Sequence, residues 1–193
     1  MKKIIKHNPP EFFSKYIAHN KPANWEDITA IRAELRKYIL EEQGSCCAYT
    51  EIRLDCANNA HIDHFKKQHL FPELKFDYTN MLVSCNSEQY GGKYKDKQVS
   101  DKNIYQDLIN PTEESSADYF EFTYTGKVLP LNDCTKGKQT ISHFNLNNKD
   151  LVDHRKGIAY CIKNMMNDLT EDEIVQAIGE FETMARQLYK DSH

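Results

Sequence analysis

Between residues 45 and 100 the chain loses the apolar periodicity that runs on either side of it, and this break constrains the fold most. Short apolar pieces, HIDHF at 61–65 and MLVSC at 81–85, stand there among turn-forming residues. A stretch of that kind carries no long amphipathic helix and cannot enclose a large core of its own. It reads as a small hairpin-and-helix unit held by local interactions. Most of the chain's ligand-type side chains fall inside it: Cys46, Cys47, Cys56, His61, Asp63, His64, His69 and Cys85, with Asn80 between.

The flanks are regular. Trp25, Ile28, Ile31, Leu35, Tyr38 and Ile39 recur at spacings of three and four, which predicts a helix from about Asp27 to Gln43 that stops at Gly44. Further on, YFEFTY and KVLPL flank Thr125-Gly126 and predict a hairpin. Leu151, Val152, Arg155, Ile158, Ala159 and Ile162 predict a helix from Asn148 to about Asn164, with Asn147 or Asn148 as its N-cap. Thr170 and Glu173 form a capping box for a last helix whose apolar face is Ile174, Ile178, Phe181, Met184 and Leu188. No repeat or flexible linker interrupts the pattern. The expected architecture is one compact α+β unit in three blocks: a helical segment 1–44, the unit 45–100, and a hairpin with helices over 101–193.

Composition narrows the function. The 193 residues are 39% hydrophobic with a mean hydropathy of −0.74, and no run of about 18 apolar residues exists to span a membrane. The basic start MKKIIKHNPPEFF lacks an apolar core and a cleavage site, so a cytoplasmic location with no membrane partner is expected. There the six cysteines are free thiols or metal ligands rather than disulfides. The net charge is −4, with a pI near 6.1. A protein that captures bulk nucleic acid alone is usually basic, because phosphate neutralisation dominates such affinity, and this chain is not. A local basic groove or a partner must supply the attraction.

The chemistry concentrates in His61-Ile62-Asp63-His64-Phe65. On a strand, alternation puts His61, Asp63 and Phe65 on one face and Ile62 and His64 on the other. One of two adjacent residues then holds a metal while the other faces a substrate. A histidine near its ordinary pKa of about 6.5 suits general-base work on water. A carboxylate suits Mg²⁺, a hard ion that keeps positions open for phosphate oxygens.

Around this motif stand Cys47-Ala48-Tyr49-Thr50-Glu51, then Asn80-Met81-Leu82-Val83-Ser84-Cys85-Asn86, then Gly91-Gly92-Lys93-Tyr94-Lys95-Asp96. With them the sequence resembles the HNH, or ββα-metal, endonucleases. Asp63-His64 matches that pattern's first element, and Asn80, sixteen residues after His64, matches its second. The opening MKKIIKHNPP, EEQGSCCAYTE, HIDHF…FPELKFDYTNMLVSC and TISHFNLNNKDLVDHRK extend the resemblance across nearly the whole chain. They look like the PtuB-like subfamily, small nuclease subunits of Septu-type and retron-associated anti-phage systems.

The resemblance implies a ββα-metal core embedded between helical flanks. It assigns His64 as the general base for in-line attack on a phosphodiester and Asp63 as ligand of a catalytic Mg²⁺ or Mn²⁺. Asn80 orients the loop and the base histidine, and Lys95 matches the family lysine. The implied partner is an SMC/ABC-like ATPase, joined in retron systems by a reverse transcriptase and its RNA–DNA. DNA is the default substrate, with RNA, including tRNA, compatible.

Two departures weigh against a structural zinc. Gly91-Gly92 stands where a cysteine followed by His or Asn is expected, and Thr50 stands at the second cysteine of the upstream CxxC. Cys47 and Cys85 remain as remnant zinc ligands, and two thiolates do not make a tetrahedral zinc site. Cys46, Cys56 and His69 have no ligand spacing to recommend them, while Asn86 and Asp96 lie near the place of a third catalytic ligand. His61 reads equally as a second active-site histidine or as a strand residue bonded locally. Lys66, Lys67, Lys93, Lys95 and Lys97 cluster around the motif; Lys93 and Lys95 are the best placed for phosphate. Tyr49, Tyr78, Tyr90 and Tyr94 offer stacking surfaces, though packing explains most tyrosines. His143 and His154 read as scaffold or partner contacts, and the C-terminal helix as core or as an ATPase-docking face. Against the endonuclease stand a catalytically degenerate HNH-like binding subunit and a zinc-binding adaptor.

Overall fold

The computed structural model describes residues 1–55, 59–165 and 168–192. Pro10 precedes helix α1 (Glu11–Asn20), which ends where Lys21 takes a left-handed conformation and donates its N–H to the Ile17 carbonyl. Asn24 and Asp27 form a capping box around the single turn Trp25–Ile28, which leads into α2 (Thr29–Glu42). The expected helix is thus present, with Leu35 and Ile39 fully buried. Burying each such side chain contributes about 2 kcal/mol.

After Gly44 the backbone folds into a tight loop over residues 45–54, closed by a bridge between Cys46 and Arg53. The two apolar pieces of the irregular stretch then pair, β1 (Ala60–His64) running antiparallel to β2 (Met81–Cys85) with His64 opposite Met81 and Asp63 opposite Leu82. Helix α3 (Gly92–Gln98) follows and packs against β1, giving a strand–strand–helix order. Gln43, at the end of α2, lies along the outer edge of β2. Its side-chain amide accepts from Val83 N–H at 2.7 Å and donates to the Val83 carbonyl at 2.9 Å.

In the last block β3 (Phe120–Phe122) and β4 (Val128–Pro130) form the expected hairpin, followed by α4 (Thr135–His143) and α5 (Lys149–Met165). Asn148 caps α5, accepting from Asp150 N–H at 3.0 Å. The guanidinium of Arg155, buried on α5, donates to the carbonyls of Gly126 at 2.7 Å and Leu146 at 2.6 Å, tying the hairpin turn to the helix. The Thr170–Glu173 capping box is present. The single last helix is corrected to two, α6 (Glu171–Ile178) and α7 (Glu182–Lys190). Gly179 at φ +68° caps α6, and Phe181 at φ +48° turns its N–H to the Glu51 carbonyl, so the apolar spacing continues across a break. Ile174, Met184 and Leu188 lie in the core from these two helices.

The result is a mixed helix-and-sheet fold. One apolar cluster joins Leu35 and Ile39 to Met81 and Val83 and on to Phe144, Ile162, Met184 and Leu188. Among the described residues, no helix is long and apolar enough to cross a membrane.

Candidate functional site

Alternation along β1 sends Asp63 and His64 to opposite faces. Asp63 turns toward α3 and is almost completely buried. Its Oδ2 accepts from the Lys95 ammonium at 2.7 Å and from the Tyr49 hydroxyl. His61 shares this face at the sheet's margin, its Nε2 3.9 Å from Asp63 Oδ1 and its Nδ1 without a hydrogen-bond partner. Burial holds the His61 pKa below its ordinary value.

Lys95, matched to the family lysine and read as a phosphate contact, has no solvent exposure. Besides Asp63 it donates to the carbonyls of His64 at 2.7 Å and Phe65 at 3.0 Å, and Asp96 Oδ1 lies 3.1 Å away. Burial favours the neutral amine, but the surrounding carboxylates outweigh it and raise the Lys95 pKa. Burial and the Asp63 charge push Asp96 up to about 6. Burial, with Asp63 beside it, holds the Tyr49 hydroxyl protonated well beyond its usual range.

His64 sits behind the sheet, 5% exposed. Its Nε2 lies 2.8 Å from the Lys75 carbonyl, which only accepts, so Nε2 carries the proton. Nδ1 therefore presents its lone pair, and the Gln68 amide donates to it at 3.1 Å. Burial lowers the His64 pKa against the contrary pull of the Lys75 carbonyl, so the ring is a neutral imidazole. Asn80 accepts from Lys66 N–H at 2.8 Å and donates to the Lys66 carbonyl at 3.0 Å. It fixes the strand connection that begins just after His64.

The positions of the broken cysteine pattern meet in space. Cys47 and Cys85 lie together, and Gly91 fills the next corner. A side chain at 91 would stand 3.2 Å from the Cys85 sulfur, 3.0 Å from Ser84 Oγ and 4.0 Å from the Thr50 methyl. The hydrogen bond with Cys47, and burial, push the Cys85 thiol up. Burial opposes a Cys47 thiolate, but donation from Cys85 and Thr50 outweighs it, so Cys47 has the lower pKa of the two. Cys56 lies outside the described residues. Among the described residues, no three His, Cys, Asp or Glu side chains gather as a metal site.

A catalytic Mg²⁺ needs several oxygen ligands and retained water. Asp63 offers neither, its side chain being 2% exposed and its charge committed to Lys95. The arrangement does not fit that ion.

The remaining candidates scatter. Lys93 and Lys97 pair with Glu88 at 3.0 and 2.7 Å, and Lys67 donates to the Asp96 carbonyl at 3.1 Å. Tyr78 is buried, whereas Tyr90 and Tyr94 are half-exposed. Asn86 is exposed and bonds through its N–H to the Asn59 carbonyl. His143 bonds within α4, and His154 pairs with Glu180 at 2.8 Å. Sequence reasoning missed Gln68 and the Lys75 carbonyl as partners of His64, and Tyr49 as a partner of Asp63. It also missed Trp25 as the cover of His64, although a lone tryptophan at a helix start was visible.

Comparison with known proteins places these features in a family context. No family model matches the chain. Two curated relatives do. A retron Ec83 protein of Escherichia coli, whose name gives it as an inferred HNH endonuclease, is 27% identical over 161 residues, covering 67% of this chain and 62% of that protein. The Septu protein PtuB of Bacillus thuringiensis is 31% identical over 116 residues, covering 58% of this chain and 40% of that protein. The chain thus spans between about two fifths and three fifths of the length of these relatives. Over more than half its length, it is similar to the PtuB-like HNH proteins of retron and Septu systems.

Proposed function

We propose that this chain is an HNH-type endonuclease subunit of an anti-phage defence assembly, hydrolysing nucleic-acid phosphodiesters with His64 as general base. The observation that carries it is the state of His64. A neutral imidazole stands at the end of β1 with Nε2–H anchored on a backbone carbonyl and the Nδ1 lone pair under a single displaceable amide. That is the tautomer and protonation state a base needs at neutral pH. Withdrawal of Gln68 frees the Nδ1 lone pair, and a proton taken there from water leaves an imidazolium steadied by the Lys75 carbonyl. Asn80 supports the base by fixing the connection behind it, and His61 stands at the half-buried margin of the sheet as a further contact. A Mg²⁺ or Mn²⁺ arriving with the substrate would supply stabilisation of charge on the scissile phosphate; Asp63, held by Lys95, is not its ligand.

The acidic chain needs help to hold a polyanion, and an SMC/ABC-like ATPase is the proposed partner. Retron-associated complexes add a reverse transcriptase with its RNA–DNA. Lys93 is the proposed phosphate contact among the accessible lysines. DNA is the proposed substrate.

The test compares wild type with His64→Ala, each co-expressed with the ATPase, on DNA and on total RNA in the presence of Mg²⁺. Cleavage in the variant should fall by about 10²–10⁴-fold while the complex stays assembled. Undiminished cleavage would remove His64 from the mechanism, and RNA cut in place of DNA would correct the substrate. A second reading, a non-catalytic HNH-like binding subunit, is favoured by one observation, the commitment of Asp63 to Lys95. It predicts no cleavage by either protein in an intact complex.

A further inference from the structure

The contacts of Lys95 exceed what a salt bridge requires. An ammonium has three N–H groups, yet Lys95 Nζ faces four oxygens from four residues. These are Asp63 Oδ2 at 2.7 Å, the His64 carbonyl at 2.7 Å, the Phe65 carbonyl at 3.0 Å and Asp96 Oδ1 at 3.1 Å. Two carboxylates and two backbone carbonyls are the donor set of a hard divalent cation. They also carry two negative charges against the single positive charge of lysine.

The cage is rigid on its Asp63 side. Tyr49 holds Oδ2, and a side-chain carbon at Gly92 would lie 2.7 Å from the Asp63 carboxyl, so the glycine backbone closes the direction in which that group could turn. The carbonyls of His64 and Phe65 belong to the end of β1 and the residue after it, where Phe65 N–H bonds the Asn80 carbonyl at 2.9 Å.

We propose that the Lys95 ammonium is the resident cation of the Asp63 site. The wild-type chain takes up no divalent metal there, and removing the ammonium turns the same oxygens into a divalent-cation site. The inference is independent of nucleic-acid cleavage. Ca²⁺–oxygen distances of about 2.3–2.6 Å require a smaller contraction of the cage than the about 2.0–2.1 Å of Mg²⁺, so larger ions are favoured. Mn²⁺ is the chosen probe because it is paramagnetic.

The test titrates Mn²⁺ into the purified chain and follows free Mn²⁺ by electron paramagnetic resonance and the His61 and His64 ring protons by NMR. Wild type should leave both rings sharp. Lys95→Ala should bind one equivalent, broaden His61, and unfold at higher temperature with Mn²⁺ or Ca²⁺ than without. Lys95→Met, which fills the cage with an uncharged stem, should bind none. Wild-type protein whose His61 is broadened by one equivalent of Mn²⁺ overturns the proposal, and this arm needs no variant to fold. So does an alanine variant that takes up no Mn²⁺ or stays unfolded in its presence.

Discussion

The indole of Trp25 meets the imidazole of His64 edge-on, with ring centroids 4.6 Å apart. Lys75 fastens the segment carrying that indole by donating to the Ala23 carbonyl at 2.7 Å. Burial of this kind holds the His64 pKa below its usual value. Trp25→Ala should admit water to the ring and move its pKa up toward about 6.5. A pH titration of the His64 ring protons by NMR reads the shift directly; an unchanged pKa would assign the depression to Gln68 and the strand instead.

Stability should fall on the acid side. His61 and His64 both have folded pKa values below those of an unfolded chain. Between the folded and unfolded values the unfolded chain binds more protons, so stability is complete above about pH 6.5 and is lost progressively below it. Urea unfolding across that range should show a decline, and a His64→Gln variant should show a shallower one.

Gly92→Ala should be costly despite the helical position, where alanine is ordinarily preferred. Its new carbon would stand 2.7 Å from Cγ and Oδ1 of the Asp63 carboxyl, whose Oδ2 is held by Tyr49 and Lys95. Overpacking of this kind costs about 1–3 kcal/mol. A urea midpoint at or above wild type would mean that α3 is free to shift.

Arg155→Leu removes the donors of two buried carbonyls, those of Gly126 and Leu146. The expected loss is about 2–4 kcal/mol. Hydrogen exchange should quicken first in the hairpin around Gly126 rather than in β1 and β2.

Asn80→Ala frees Lys66 N–H and the Lys66 carbonyl together. The expected cost is about 1–3 kcal/mol, with faster amide exchange at Lys66 and Phe65 and little change in α5.

Legibility in the sequence follows the range of the forces involved. The stripe on α2, the Thr125-Gly126 hairpin and the Thr170–Glu173 box are local patterns, and each stands where the residues indicate. The break between α6 and α7 was hidden, because Phe181 keeps its apolar spacing while its backbone N–H is drawn away by the Glu51 carbonyl. Helix α3, with the sequence GKYKDKQ, has no apolar stripe; the buried residue that anchors it is a lysine. Histidine, aspartate and asparagine types at 61–64 and 80 were visible. Their partners were not, since Tyr49 and Lys95 lie 14 and 32 residues from Asp63 and lysine is ordinarily a surface residue.

The amide of Gln43 against Val83 bears on assembly. An unpaired strand edge is a template for another chain, and many proteins join by adding a strand there. Here one glutamine side chain copies the donor and acceptor of a neighbouring strand, and Ala48 N–H takes the same carbonyl at 3.0 Å. The hairpin that carries Asp63 and His64 is thereby sealed at the middle of β2 against β-augmentation and edge-to-edge aggregation. A protein docking at this face must recognise side chains and loops.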